Sequence, residues 1–233
     1  MKTRFWPSAV FVMGCVCLVT IIVYLDYRSF MSETLGYSGI TFEDTREGIQ
    51  DRFGSPDFVL APAVTSEPQT SRSSDARSWL RFYYPRNEIP PNRRLEDYTE
   101  WGFNASDNRA ELTVEFEPQG SRVKRITCAA VNTGIGKRCP SLFRIRIGDT
   151  EASILWKMGK PDSQKFYGAT KTLEYADVGV EFTLENQDVY RISSFSPKGD
   201  TNAIRRRYLQ TWLRGVMPHG TPRTPRQVDF LPE

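Results

Sequence analysis

The chain has 233 residues, of which 39% are hydrophobic, 12% aromatic and 25% charged, as in one or two ordinary folded domains. Its net charge is +3, and the positive excess lies at the two ends, so the middle of the chain lacks a basic surface suited to nucleic acid. The only histidine, His219, lies in a proline-rich tail. This excludes His-based catalytic triads and most His-rich metal sites, and we expect neither enzymatic activity nor a cofactor. A carboxylate-pair hydrolase is left open, although no Asp or Glu stands out from the predicted solvated strand faces.

An uncharged run at residues 5–25 predicts a transmembrane helix. At about 1.5 Å per residue it spans a hydrocarbon core of about 30 Å. Trp6 and Tyr24 lie at its two ends, where aromatic rings favour the interface. Lys2 and Arg4 favour a cytoplasmic N-terminus. The sequence therefore predicts a single-pass protein of the bacterial inner membrane, with residues 5–25 in lipid and the C-terminal domain in the periplasm.

Two alternatives to a permanent anchor involve the same segment. A cleavable signal peptide needs small residues after the apolar run, and residues 25–31 offer no such site. Residues 12–15 resemble a lipobox ending at Cys15, although the apolar run continues beyond it. Lipidation of Cys15 is left open.

Two further cysteines, Cys128 and Cys139, close a short glycine-containing segment in the predicted periplasmic domain. A metal site would need further ligands, and neither a second cysteine pair nor a histidine lies nearby. In an oxidising compartment this pattern predicts a disulfide.

An internal repeat organises the rest of the chain. Residues 40–57 align without gaps onto residues 145–162, with seven identical positions. Each segment contains an Asp-Thr pair, at residues 44–45 and 149–150, that suits the start of a helix, and Glu47 completes a capping-box-like pair in the first. Gly54 and Gly159 suit the end of the helix. Each segment therefore predicts one short capped helix.

Alternating apolar and polar residues follow each helix. Residues 112–117 and 178–185 have this period of two and predict strands with one buried face. We expect an earlier strand over residues 79–84 in the first copy and 171–175 in the second. Each copy is then a helix followed by a three-stranded antiparallel meander.

The first copy is longer by two insertions, at residues 60–78 and 85–110. Long insertions on a rigid module serve contact or are mobile. The second insertion combines residue types that are enriched at binding hot spots, or its aromatic residues cap the core of the first copy. These partner-binding candidates are Arg93, Arg94, Tyr98, Trp101 and Phe103.

A basic amphipathic helix is predicted near the C-terminus, at residues 203–214. Tyr208 and Trp212 fall on its apolar stripe, and Arg205 and Arg206 lie beside that stripe. These four residues are partner-binding candidates, because such a helix rests on a membrane surface, docks into a partner or packs on its own domain.

The second copy carries a recognisable pattern: Ile-x-Ile-Gly-x-Thr at residues 145–150, Gly-x-Pro at 159–161, a strand near Leu173 and Tyr175, and a closing hairpin. It resembles the BamE/SmpA-like (OmlA) envelope domain family, and the tandem arrangement is similar to β-lactamase inhibitor proteins. The resemblance implies two short helices on a three-stranded antiparallel sheet and a protein-binding role in the cell envelope. The chain departs from the family in its transmembrane helix, where members carry a lipid anchor, and in its duplication.

We therefore predict an α+β protein: an N-terminal transmembrane helix, two tandem modules of helix and three-stranded antiparallel sheet, and a C-terminal amphipathic helix. The function expected is that of a non-enzymatic accessory, assembly or scaffold subunit that binds other membrane proteins in a multi-subunit complex. The alternative is an inhibitor or sensor module for a soluble periplasmic enzyme or ligand. The predicted divisions are an anchor at 1–28, a first repeat at 29–128, an inter-repeat loop at 129–142, a second repeat at 143–200, and the basic helix and tail at 201–233.

Overall fold

A computed structural model describes residues 6–60, 83–85, 94–106, 109–117, 122–130 and 139–216. It is a mixed α+β protein with one N-terminal apolar helix and a large antiparallel sheet. The helices are α1 (Trp6–Glu33), α2 (Arg46–Phe53), α3 (Glu151–Met158) and α4 (Thr201–Val216), with a 3-10 turn at Leu95–Asp97. The strands are β1 (Gly36–Tyr37), β2 (Ile40–Thr41), β3 (Phe58–Leu60), β4 (Tyr83–Pro85), β5 (Glu100–Ser106), β6 (Arg109–Phe116), β7 (Val123–Ala129), β8 (Ser163–Tyr167), β9 (Thr170–Tyr175), β10 (Val180–Glu185) and β11 (Asp188–Phe195).

Helix α1 is long and apolar enough to cross a membrane, with a mean hydropathy of 1.7 over the span Phe11–Glu33. A signal sequence has the same properties. The large side chains between Phe11 and Leu25 are exposed, which suits contact with lipid. The helix continues without a break past residue 28, the predicted boundary of the anchor, and ends at Glu33.

Within the described residues the large sheet has nine strands in the order β4-β3-β5-β6-β7-β11-β10-β9-β8, and all neighbours are antiparallel. At its centre β7 pairs with β11, and Thr127 lies opposite Ser193 with their hydroxyl oxygens 3.0 Å apart. The two repeated hairpins are offset by 66 residues in the sequence, and 193 − 127 is also 66. Thr127 therefore pairs with its own counterpart, which is the contact that a local two-fold axis produces.

The short helices start and end where the repeat predicted. Thr45 accepts a hydrogen bond from the Gly48 amide, and Thr150 accepts one from the Ser153 amide, each at 3.3 Å. Gly54 and Gly159 end the helices with φ angles of 79° and 81°, a conformation that favours glycine.

The capping box expected for Glu47 is absent from α2. Because Thr45 is the N-cap, the third helical position belongs to Gly48, which has no side chain to reach back.

The strands differ from the prediction in number and in one assignment. The first half of the sheet consists of β7, β6, β5 and β3, and the second half consists of β11, β10, β9 and β8. The two halves form one continuous sheet, and β4 extends the edge of the first half. Strand β5 lies inside residues 85–110, the segment that the sequence predicts to be an insertion. It occupies the place in the first half that β9 occupies in the second, and β4 is only an edge strand. Residues 79–82 and 61–78 lie outside the described part of the chain.

The core lies on one face of the sheet. Trp101 packs edge-on against Phe116 with ring centroids 4.9 Å apart, and Tyr175 packs against Phe182 at 6.0 Å. The helices close this face with apolar side chains that are buried in the same cluster. These are Ile49 from α2, Ile154 and Met158 from α3, and Ile204 and Tyr208 from α4.

Candidate interaction surfaces

The C-terminal turns of α1 pack into the domain through aromatic rings. Phe30 is buried between Phe143, at a centroid distance of 4.7 Å, and Tyr208 of α4, at 5.4 Å. Tyr27 packs edge-on against Tyr208 at 5.0 Å. We call this contact the junction. It joins the apolar helix to the domain through side chains that are far apart in the sequence.

Polar contacts complete the junction. Arg144 forms an ion pair with Asp26, and the Phe143 amide donates a hydrogen bond to the Glu33 carboxylate. The Tyr208 hydroxyl donates to the carbonyl of Val23 at 3.1 Å. A small, partly open cavity of about 30 Å³ lies at the junction, and this volume suits water more than a drug-sized ligand.

The loop that holds α1 has an unusual backbone. Phe143 and Arg144 have φ angles of 50° and 62° in a two-residue hairpin turn between Leu142 and Ile145. Such turns favour Asn-Gly, because each side chain in the left-handed region costs about 1–2 kcal/mol. Here the turn carries Phe and Arg, and these are the two residues that contact α1. Strained backbone of this kind is concentrated at functional positions.

Helix α4 is fixed to the domain by a buried arginine. Arg207 donates to the carboxylates of Asp177 at 2.8 Å and Asp162 at 3.3 Å. It also donates to the carbonyls of Met158 and Lys160, at 3.0 and 3.1 Å. The guanidinium therefore joins α4 to the end of α3 and to the turn after β9.

The opposite side of α4 faces solvent. Arg205 and Arg206 are exposed there, and Leu209 and Leu213 are 47% and 48% exposed. A groove of about 370 Å³ lies beside this face. It is lined by Lys160, Asp177, Ala203, Arg206, Arg207, Gln210 and Arg214.

Of the candidates on α4, Arg205 and Arg206 are thus available to a partner, whereas Tyr208 and Trp212 face inward. Tyr208 is 4% exposed, and Trp212 packs partly buried against the core. The apolar stripe of α4 is occupied by α1 and the core, so these two residues are corrected to internal contacts.

The aromatic candidates of the first half are corrected to core residues. Tyr98, Trp101 and Phe103 are 5%, 1% and 3% exposed. Trp101 and Phe103 belong to β5, a strand of the sheet, and Tyr98 follows the 3-10 turn just before it. Trp101 donates its indole N–H to the Leu95 carbonyl. Of the arginines nearby, Arg94 is exposed at the start of the 3-10 turn, and Arg93 lies outside the described residues.

A buried arginine that the sequence did not single out lies beside these rings. The guanidinium carbon of Arg46 is 4.5 Å from the ring centroid of Phe116. Its Nη1 donates to the carbonyls of Glu96 at 2.6 Å and Tyr98 at 2.9 Å. Arg46 therefore joins α2 to the segment before β5, as Arg207 joins α4 to α3.

Strand β8 forms one edge of the sheet and is exposed along its length. Phe166 and Tyr167 are 68% and 50% exposed. On the neighbouring strand β9, Glu174 accepts a hydrogen bond from Ser163 of β8 and forms an ion pair with Lys165 of β8. Partial burial raises the pKa of Glu174, but these bonds and nearby lysines together lower it below the ordinary value.

The predicted disulfide is confirmed. Cys128 of β7 is bonded to Cys139, and their Cα atoms are 5.7 Å apart. Cys15 and Cys17 are free and exposed on α1. Among the described residues no group of three or more His, Cys, Asp or Glu side chains could hold a metal ion.

No protein-family profile, curated protein or solved structure matches this chain.

Proposed function

We propose that the protein is a membrane-anchored, non-enzymatic accessory or scaffold subunit that holds a partner protein at a fixed position beside the membrane. The observation that carries this proposal is the junction between α1 and the domain. The helix runs unbroken to Glu33, and its last turns are held by Phe30, by Tyr27 and by the Asp26–Arg144 ion pair. Burying an aromatic side chain such as Phe30 contributes about 1.5–3 kcal/mol.

A fixed junction has a functional consequence. A domain that only captures soluble ligands needs no fixed orientation, so a flexible linker to the membrane helix would be sufficient for it. A domain that is rigid on its helix presents the same sheet edge at the same height to every neighbour in the membrane. This suits a subunit of a multi-protein membrane complex.

The disulfide supports the proposed location. Disulfides persist in oxidising compartments, and the bacterial periplasm is one. Together with Lys2 and Arg4 before α1, this favours an inner-membrane protein with a cytoplasmic N-terminus and a periplasmic domain.

The local symmetry supports the proposed tandem modules. Thr127 pairs with Ser193, its counterpart in the repeat. Helices α2 and α3 both have a threonine at the N-cap and a glycine at the C-cap. These features favour two BamE/SmpA-like units fused into one sheet, and a protein-binding role.

The element that we assign to partner binding is β8. An exposed edge strand offers unpaired backbone groups to a strand of another protein, and side chains such as Phe166 and Tyr167 add affinity. Arg94 and the outward face of α4 lie on other parts of the surface and are not needed for this contact.

Photo-crosslinking in cells tests the assignment. Benzoylphenylalanine replaces Phe166 of β8 in the full chain. In a control it replaces Arg191, which is exposed on the face of the sheet opposite the core and away from the edge. We expect position 166 to form an adduct with another membrane protein and position 191 to form none.

A second measurement identifies complex formation. In mild detergent the wild-type chain should elute with this partner, and the Phe166→Ser/Tyr167→Ser variant should elute without it. The proposal fails if the wild-type protein elutes alone and monodisperse and position 166 gives no adduct. An adduct with a soluble periplasmic enzyme would favour an inhibitor or sensor instead.

A further inference from the structure

We infer that the outward face of α4 lies on the anionic phospholipid headgroups of the membrane that α1 spans. This inference rests on the proposed anchoring by α1. It adds a second contact between the protein and the bilayer, made by the folded domain.

The position of α4 along α1 is the first argument. The hydroxyl of Tyr208 on α4 bonds to the carbonyl of Val23, and the uncharged run of α1 ends at Leu25. Other contacts of the domain with α1 involve residues further from the membrane, such as Asp26, Phe30 and Glu33. Helix α4 is therefore level with the point where α1 leaves the apolar layer.

The charge of α4 is the second argument. The helix contains four arginines and no aspartate or glutamate. Arg207 is used inside the domain, and Arg214 donates to the carbonyls of Leu155 and Trp156 at the end of α3, at 3.2 and 3.3 Å. The side chains of Arg205 and Arg206 make no hydrogen bond or ion pair with any described residue, so their charges are free for an external anion.

The groove beside Arg206 continues this positive surface. Lys160, Arg206, Arg207 and Arg214 line it with Asp177 as the one acidic side chain. Its volume of about 370 Å³ is within the range of small-ligand pockets, which begins at roughly 300 Å³. Its charge suits the phosphate of a lipid headgroup.

The apolar pair on the same face is the third argument. Leu209 and Leu213 are one turn apart and lie between Arg205 and Arg206 around the helix. A bilayer interface accepts leucines between basic side chains, since it places apolar tails directly beneath phosphates. The adjacent membrane therefore accounts for both the charge and the apolar side chains.

The strength of this contact follows from the charges. A basic residue at an anionic surface contributes roughly a fivefold factor to the docking equilibrium. Losing both Arg205 and Arg206 should lower this equilibrium roughly thirtyfold, and raised salt should weaken docking because it screens the headgroups.

The test uses the full chain in nanodiscs of phosphatidylcholine, with or without phosphatidylglycerol. Cys15 and Cys17 are replaced by Ser, and an environment-sensitive fluorophore is attached through Leu213→Cys, with the native disulfide kept. We expect its emission to shift to shorter wavelength when phosphatidylglycerol is present, and to be quenched by lipids that carry a spin label at the headgroup. The Arg205→Glu/Arg206→Glu variant should lose the shift, and Arg191→Glu on the opposite face of the sheet should retain it.

A second label separates this inference from the anchoring on which it rests. A fluorophore at Leu18→Cys should report an apolar environment in every nanodisc, and if it reports water the anchoring itself fails. The lipid contact is refuted if the label at Leu18→Cys reports an apolar environment while the emission of the label at Leu213→Cys does not change with phosphatidylglycerol. It is also refuted if the Arg205→Glu/Arg206→Glu variant keeps the emission shift. A crosslink from position 213 to an acidic protein in native membranes, without a lipid response, would likewise overturn it.

Discussion

Replacing Arg207 by Met should destabilise the domain strongly. Arg207 is 8% exposed, and its guanidinium donates to two carboxylates and two carbonyls. Met keeps most of the aliphatic stem but leaves these acceptors without their donor. Asp177 is most affected, since its side chain is only 19% exposed.

The size of the effect follows from burial. Removing one partner of a buried ion pair costs about 3–5 kcal/mol. The lower end applies here, because the Asp162 side chain is 43% exposed and regains water. A loss of about 3 kcal/mol lowers the Tm of a domain of this size by roughly 6–12 °C.

The assay is thermal unfolding of the full chain in a neutral detergent, followed by near-UV circular dichroism. The matched control is Arg205→Met, the same substitution two residues earlier on the exposed side of α4, which should stay within about 0.5 kcal/mol of wild type. If the two variants melted at the same temperature, Arg207 would not join α4 to α3 as argued, and the position of α4 would have to depend on other contacts.

Two further predictions concern the disulfide and the edge strand. Replacing both Cys128 and Cys139 by Ala should lower the free energy of unfolding by about 3 kcal/mol, because the bond closes a loop with a sequence separation of 11; an unchanged urea midpoint would contradict this. The pKa of Glu174 is lowered in the folded state, so its contribution to stability is present above the unfolded value of about 4.3 and is lost as the pH falls through the folded pKa. We expect the protection factors of the β8 amides, which correct for the slower intrinsic exchange at low pH, to fall on acidification more in wild type than in Glu174→Gln, since the variant lacks the titrating carboxyl. An equal fall in both proteins would argue against the role of Ser163 and Lys165 as partners of Glu174.

Local signals in the sequence predicted the local elements well. The N-caps Thr45 and Thr150 and the C-cap glycines are set by backbone groups within one turn, so a short window contains the whole cause. In strand β10 the buried apolar residues Val180, Phe182 and Leu184 occupy every second position, so the strand could be predicted from this alternation. The disulfide followed from two cysteines in a short segment.

Strands β5 and β8 were missed for different reasons. In β5 the alternation of Trp101 and Phe103 across Gly102 was present in the sequence and could have identified a strand. In β8 the residues are exposed on both faces, so no periodicity marks it. Edge strands of this kind depend on a neighbour that the sequence does not reveal.

The junction could not be predicted, because its partners are distant in the sequence. Val23 and Tyr208 are 185 residues apart, and no local pattern tells which surface the stripe of α4 will cover. The buried arginines were also beyond sequence reasoning. Arg46 and Arg207 belong to a residue type that is rarely buried. Their burial is favourable only because backbone carbonyls accept from both guanidinium groups and the carboxylates of Asp162 and Asp177 also pair with Arg207.

The pairing of β7 with β11 determines when the fold can be completed during synthesis. Strand β7 is made early, but its outer edge stays open until the chain from Ala129 to Asp188 and then β11 itself have emerged. An open edge of this length readily pairs with other chains, so the nascent protein passes through an aggregation-prone stage that ends only when its second half arrives. Cys139 emerges early in this interval, soon after Cys128 of β7, so oxidation can restrain the end of β7 before its partner strand exists.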